Sequence, residues 1–153
     1  MARNKWSITQ SCAAVATNPR TKLQIITAAN HRAAILKVEI IPQGATSATA
    51  PMAFELVKQT DVGAGSSDIT ANIQKDPGQG SDCAVLTQVR TGFTSEPTLS
   101  GLAIRKWGIH QQGVRAIDGK DEEVTLEANT RYGIRQTEGD SSLVVIINAV
   151  IEE

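Results

Sequence analysis

The sequence predicts an all-β fold, an antiparallel β-sandwich of jelly-roll type with long loops and at most one short helix. Three observations carry that expectation. Apolar residues recur with period two in about nine short segments, and Gly, Pro, Asn and Asp turn signals separate those segments. No repeat of fixed period is visible, which disfavours a solenoid or propeller. The last segment, 142–151, is apolar on both faces: Leu143, Val145, Ile147, Ala149 and Ile151 share one parity, Val144, Ile146, Asn148 and Val150 the other. A strand with one wet face alternates cleanly, so this strand is expected at the centre of its sheet with cover on both sides. A sandwich supplies one cover, and the second is expected from a loop or another subunit.

The elements follow in chain order. Residues 5–16 place Trp6, Ile8, Cys12 and Ala14 opposite Ser7, Thr9 and Ser11, an amphipathic strand ended by Asn18-Pro19. Residues 21–27 carry Leu23 and Ile25, and a turn at 28–31 leads to 32–41, where the even residues Ala34, Leu36, Val38 and Ile40 form the cleaner core face. After an uncharged loop, 52–59 alternates again, so these two strands make either a long hairpin or a corner between sheets. Residues 62–82 read as a surface loop, with one or two helical turns available at 68–75 through Ile69 and Ile73. A strand at 84–93 carries Val85, Thr87, Val89 and Thr91. In 98–110 the inward phase moves from Leu102 and Ile104 to Trp107 and Ile109, as a bulge near Arg105-Lys106 would cause. Strands at 113–117 and 123–128 flank an acidic hairpin turn at Asp118–Asp121, and 131–137 carries Tyr132 and Ile134.

A chain of 153 residues is the size of one domain and buries roughly 70% of its unfolded surface. The organisation expected is an N-terminal arm or first strand over 1–20 and a single sandwich domain over 21–153. A formal charge of −1 leaves no electrostatic footprint for nucleic acid or an anionic membrane, and Arg20, Lys22, Arg32 and Lys37 are too diluted by neutral residues to form a phosphate track. No apolar run approaches the ~18 residues of a membrane helix, and the start MARNKWSITQ lacks the apolar core of a secretory signal, so the protein is expected to be made and used without translocation. Cys12 and Cys83 have no C-x-x-C spacing and read as small buried hydrophobes.

Chemistry-bearing constellations are sparse, and neither a catalytic site nor a metal or cofactor is expected. His31 lies in a turn and His110 at a strand end, and neither sits in a nucleophile motif. The acidic run Asp118–Glu123 lacks the alternating ligands and closing glutamate of a calcium loop. Gly63-Ala-Gly65 opens no βαβ unit. Aromatic residues make up 3% of the chain, little material for stacking sugars or bases. A carbohydrate- or receptor-binding module of a tail fibre or lectin is the alternative to a structural role.

Several stretches are similar to small structural proteins encoded among tailed-phage head genes. They are Leu23-Gln-Ile25 followed by Ala28–Leu36, the run Ala53–Thr60, Glu96-Pro-Thr98, Lys106–Gly113 and the closing Leu126–Arg135 with its apolar last strand. The chain thus resembles the tailed-phage capsid decoration, or cement, proteins over residues 23–153. The resemblance implies a non-enzymatic sandwich, commonly a homotrimer, that binds the major capsid protein on the capsid exterior after synthesis in the host cytoplasm. Interface residues expected for that role are Arg3, Lys5 and Trp6, on an arm able to add a strand to a neighbouring sheet, together with Trp107 and His110. The competing reading of both tryptophans is that they belong to the core.

Overall fold

The structure, a computed structural model, describes residues 4–12, 20–43, 51–75, 85–109, 115–118, 123–139 and 143–153, with 115–118 described by backbone alone. Twelve strands lie within them: β1 (Lys5–Cys12), β2 (Arg20–Ile26), β3 (Ala33–Gln43), β4 (Met52–Gln59), β5 (Ser67–Asp68), β6 (Gln74–Lys75), β7 (Gln88–Thr91), β8 (Arg105–Ile109), β9 (Arg115–Asp118), β10 (Val124–Leu126), β11 (Arg131–Glu138) and β12 (Val144–Glu152). The helical potential of 68–75 is realised as one 3-10 turn at Thr70–Asn72, because Asp68 and Lys75 are drawn into sheet pairings on either side of it.

Pairing is nested. The first strand pairs with the last (β1 with β12), the second with the next to last (β2 with β11), β3 with β9 and β10, and β4 with β8, all antiparallel. A long hairpin of four strand pairs rolled up in this way is a jelly roll. The first sheet runs β10-β3-β12-β1-β6, with β9 also on β3, and the second runs β5-β7-β2-β11-β4-β8. β3 and β4 therefore form a corner between sheets. β9 and β10 lie end to end on one side of β3, from Arg115 opposite Ile40 to Leu126 opposite Ala33. The hairpin expected around Asp118–Asp121 is corrected accordingly: both flanks satisfy their hydrogen bonds on β3 and form one interrupted edge strand, with 119–122 outside the described residues.

β12 lies between β1 and β3, as its sequence predicts. Its odd residues Val145, Ile147, Ala149 and Ile151 are fully buried against Leu23, Ile25, Phe54, Leu56 and Ile134 of the second sheet and form the centre of the core. β1 pairs with β12 along its whole length, Lys5 opposite Glu152 through Cys12 opposite Val145, and Asn4 and Glu153 exchange two further backbone hydrogen bonds of 3.0 Å. Residues 5–12 are thus a first strand, sending Trp6, Ile8 and Cys12 into the core.

Two bulges re-aim side chains. In β2 an extra residue, Lys22, separates Leu23 opposite Ile134 from Thr21 opposite Arg135, so Leu23 faces the core while Thr21 turns to the outer surface. In β3, Leu36 is extra between Ile35 opposite Ile151 and Lys37 opposite Val150. The even parity expected for this strand holds for Val38 and Ile40, but before the bulge Ile35 takes the inner position and Ala34 the outer. The phase change in 98–110 has a different origin from the one expected. β8 begins only at Arg105, and Leu102 and Ile104 lie in the preceding loop, exposed rather than inward.

The bulge at Lys22 frees its carbonyl, which accepts from Thr91 Oγ1 at 2.8 Å and from Cys12 Sγ at 3.4 Å. Burial pushes the Cys12 thiol up to about 11, against smaller opposing effects of the Thr91 hydrogen bond and the Lys22 charge. Burial likewise lowers the Lys22 ammonium below its ordinary value.

Two outcomes follow from this architecture. Deleting residues 1–12 removes three core side chains worth roughly 1.5–3 kcal/mol each and a full strand ladder, a loss comparable with a total stability of about 5–15 kcal/mol. The truncated chain is expected to show no cooperative thermal transition; a folded truncate would overturn the assignment of β1. In a Cys83→Ser background, alkylation of the remaining thiol at pH 8 should be at least ~100-fold slower in the native protein than in urea, from its thiolate fraction alone. Equal rates would place Cys12 outside the core.

Candidate functional site

The outer face of the first sheet is built by the other parity of β12. Val144, Ile146 and Val150 are half-buried there, opposite Gln43, Ile41 and Lys37 of β3. On the far side β1 contributes Lys5, Ser7, Thr9 and Ser11, all polar. Between the apolar residues sits a polar cluster, in which Asn148 Nδ2 donates to Glu39 Oε2 at 3.1 Å and Lys37 Nζ lies 3.2 Å from Glu39 Oε1. Hydrogen bonds from Asn148 and then Lys37 hold the Glu39 carboxyl below its ordinary range. Asn148 Oδ1 is buried and has no donor among the described residues. This face is an aliphatic stripe with one unmet acceptor near its middle.

The outer face of the second sheet is covered instead by the chain's own loops over a polar network. Thr21, turned outward by the Lys22 bulge, donates to Glu96 through its backbone nitrogen at 2.8 Å and its hydroxyl at 2.6 Å. Arg135 donates to Glu96 at 2.9 Å and to Glu55 at 2.9 Å. Gln59 donates to Thr21 Oγ1 and accepts from Gln24, which also donates to the Asp61 carbonyl. Gly133 is required under this network, since a Cβ there would stand 2.5 Å from the Gln59 amide. Asp61 Oδ1 accepts from Gly63 and Thr98 backbone nitrogens at 3.0 and 3.1 Å, joining the two covering loops, and hydrogen bonding from Thr98 holds its carboxyl low.

Glu96 anchors the segment 94–104. Beyond it the backbone follows β4, with Thr60 donating to the Thr98 carbonyl at 2.9 Å, Ser100 to Lys58 at 2.8 Å and Ile104 to Leu56 at 2.7 Å. Between the last two contacts the chain arches away at Gly101, whose φ of +94° suits glycine. The crest is Leu102, 93% exposed, flanked by Leu99 and Ile104 at 37% each. Arg105 and Lys106 follow, both exposed. An aliphatic side chain is therefore held in water on a loop fixed at both ends.

A cavity of about 230 Å³ opens on the first sheet. Its centre is the cross-strand row Thr125, Ala34 and Glu152, and Arg32, Glu123 and Glu153 also line it. It exists because the Leu36 bulge turns small Ala34 outward between two larger neighbours. Glu153 is fixed by accepting from the Leu86 and Thr87 backbone nitrogens at 3.2 and 3.3 Å.

Of the residues expected at an interface, Lys5 is exposed on β1, whereas Trp6 and Trp107 are 5% and 6% exposed and present no surface. Lys75 Nζ covers the Trp6 ring at 5.7 Å from its centroid. Arg3 and His110 lie outside the described residues. His31 is an exposed turn residue. All five aromatic side chains of the protein, Trp6, Phe54, Phe93, Trp107 and Tyr132, are buried. Among the described residues no three His, Cys, Asp or Glu side chains converge as a metal site, and no helix is long and apolar enough to cross a membrane. Comparison with protein-family models, with curated proteins and with solved structures finds no match.

The Glu96 clamp is directly testable. Glu96→Ala strips Thr21 of its acceptor and leaves Arg135 with Glu55 alone in a largely buried setting, and should lower the urea unfolding free energy by about 2 kcal/mol with the slope unchanged. Wild-type stability in that variant would mean that the loop is held by its backbone contacts alone.

Proposed function

We propose that this chain is a virion structural protein: a capsid decoration, or cement, protein that self-associates as a trimer on the outside of a tailed-phage shell and ties neighbouring capsomers together without catalysis. The observation that carries this reading is the outer face of β12. A strand at the centre of a six-stranded sheet leaves Val144, Ile146 and Val150 half-exposed, with the buried acceptor Asn148 Oδ1 unmet among the described residues. Such a stripe supports docking, since each aliphatic side chain removed from water stabilises a contact and an unmet acceptor asks for a donor from the partner. The resemblance of residues 23–153 to decoration proteins supplies the setting, with the major capsid protein as partner. Burial of every aromatic side chain weighs against the carbohydrate-binding alternative, which depends on exposed rings to stack on sugars.

The mechanism is adhesion by many modest contacts. A cement protein needs shape, aliphatic surface and satisfied polar groups, and gains strength from engaging several capsomers at once. The test is co-sedimentation with shells assembled from the phage's major capsid protein. Wild-type protein should bind saturably, and an Ile146→Lys, Val150→Asp double variant should bind roughly 100-fold more weakly with an unchanged melting temperature. Failure of the wild type to bind shells, or a defined sugar ligand on a glycan array, would overturn the proposal.

A further inference from the structure

We propose that copies of this chain join through a heterologous contact in which Leu102 of one copy enters the Ala34 cavity of the next. The contact deepens the assembly reading above and rests on it for its biological setting. The leucine fits within the cavity, and the two halves are complementary in charge. The four side-chain carbons of leucine need roughly 120 Å³ at the ~30 Å³ that a water molecule takes in the liquid, against a cavity of about 230 Å³. The Ala34 methyl group, the Thr125 methyl group and the aliphatic stems of Glu123 and Glu152 offer the apolar contact. Three acidic residues, Glu123, Glu152 and Glu153, line the cavity with one basic residue, Arg32, and the Glu153 carboxylate is itself held by the Leu86 and Thr87 backbone nitrogens. Arg105 and Lys106 stand exposed beside the leucine. Local complementarity of this kind sets register even in a protein whose net charge is −1.

Both halves are rigid before they meet. Backbone hydrogen bonds to Lys58 and Leu56 and the Glu96 clamp hold the loop, while the cavity is part of a three-strand row. Little ordering is therefore required on association. Leu102, on the loop that precedes β8 of the second sheet and 93% exposed, does not fill the cavity of its own chain on the first sheet. Knob and socket are different surfaces, so each copy presents one of each. A contact of this class closes into a ring when the rotation between copies permits, as the trimer reading needs.

Sedimentation velocity without shells separates this contact from the capsid-binding proposal. Wild-type protein should associate, whereas Leu102→Glu and Thr125→Trp, both at exposed positions, should each weaken association at least ~10-fold with unchanged circular dichroism and melting temperature. An equimolar mixture of the two variants retains one intact knob and one intact socket, and should form a heterodimer and nothing larger. A wild type that stays monomeric, variants that associate like the wild type, or a mixture that stays monomeric would overturn the contact. Loss of shell binding by Leu102→Glu in an otherwise monomeric protein would overturn it too, placing the leucine in the capsid subunit. Association through Leu102 in a protein that ignores shells would support the contact and sink the capsid reading alone.

Discussion

The pairing of the first strand with the last is the constraint on which the rest of the molecule depends. β12 can bury Val145, Ile147, Ala149 and Ile151 completely only if strands flank it on both sides, and one flank is supplied by residues at the opposite end of the chain. Once β1 and β12 are joined, β2 and β11 face each other on the second sheet, and the inner pairs follow. Each pair brings together residues distant in sequence, so loop-closure entropy is spent before the contacts that offset it form. The uninterrupted aliphatic inner row of β12 is what offsets that cost, since the strand is flanked by β1 and β3 in its own sheet and faces the second sheet at the same time.

Bulges convert this regular scaffold into two unlike surfaces. The period of two is rigid, and without an extra residue Thr21 would face the core and Ala34 would not flank Glu152 on the outside. Lys22 breaks the period in β2, and the hydroxyl so released becomes a donor to Glu96, fixing the loop that carries Leu102. Leu36 breaks it in β3, and the alanine so released becomes the floor of a cavity. One sheet is thereby covered by its own loops over a dense polar network, while among the described residues the other presents an aliphatic stripe.

The scaffold was legible in the sequence because it rests on periodicity. Apolar alternation gave the strands, and the two-sided composition of 142–151 gave the central position of β12. Elements whose fate depends on a partner far along the chain were not legible. Alternation through residues 32–41 does not reveal the bulge, because Leu36 is as apolar as its neighbours and the extra residue shows only against Val150 and Ile151. Leu102 and Ile104 read as core because they are aliphatic, although Gly101 and the hydrogen bonds to β4 carry them out of the ladder. The tryptophans fit either an interface or the core on sequence alone, because a large aromatic side chain suits both, and the structure buries them. The only local signals for the loop were Gly101 beside leucine and Glu96 before Pro97, and the cavity had none.

The narrowness of the apolar stripe explains how such a face can stand in contact with water. Among the described side chains its rows are one or two aliphatic residues wide, bounded by Ser7, Thr9 and Ser11 on β1 and interrupted by Asn148 with Glu39 and Lys37. A patch that thin falls short of the contiguous area that drives indiscriminate aggregation. Its polar interruption also penalises any partner that fails to meet it, because covering Asn148 Oδ1 without a donor leaves a buried acceptor unsatisfied. Weak single contacts with a built-in penalty for misfit suit assembly on a repeating lattice, where copies arranged in the correct register act together and isolated encounters dissociate. In the proposed assembly, polar interruption of the aliphatic stripe therefore trades affinity per contact for fidelity of placement.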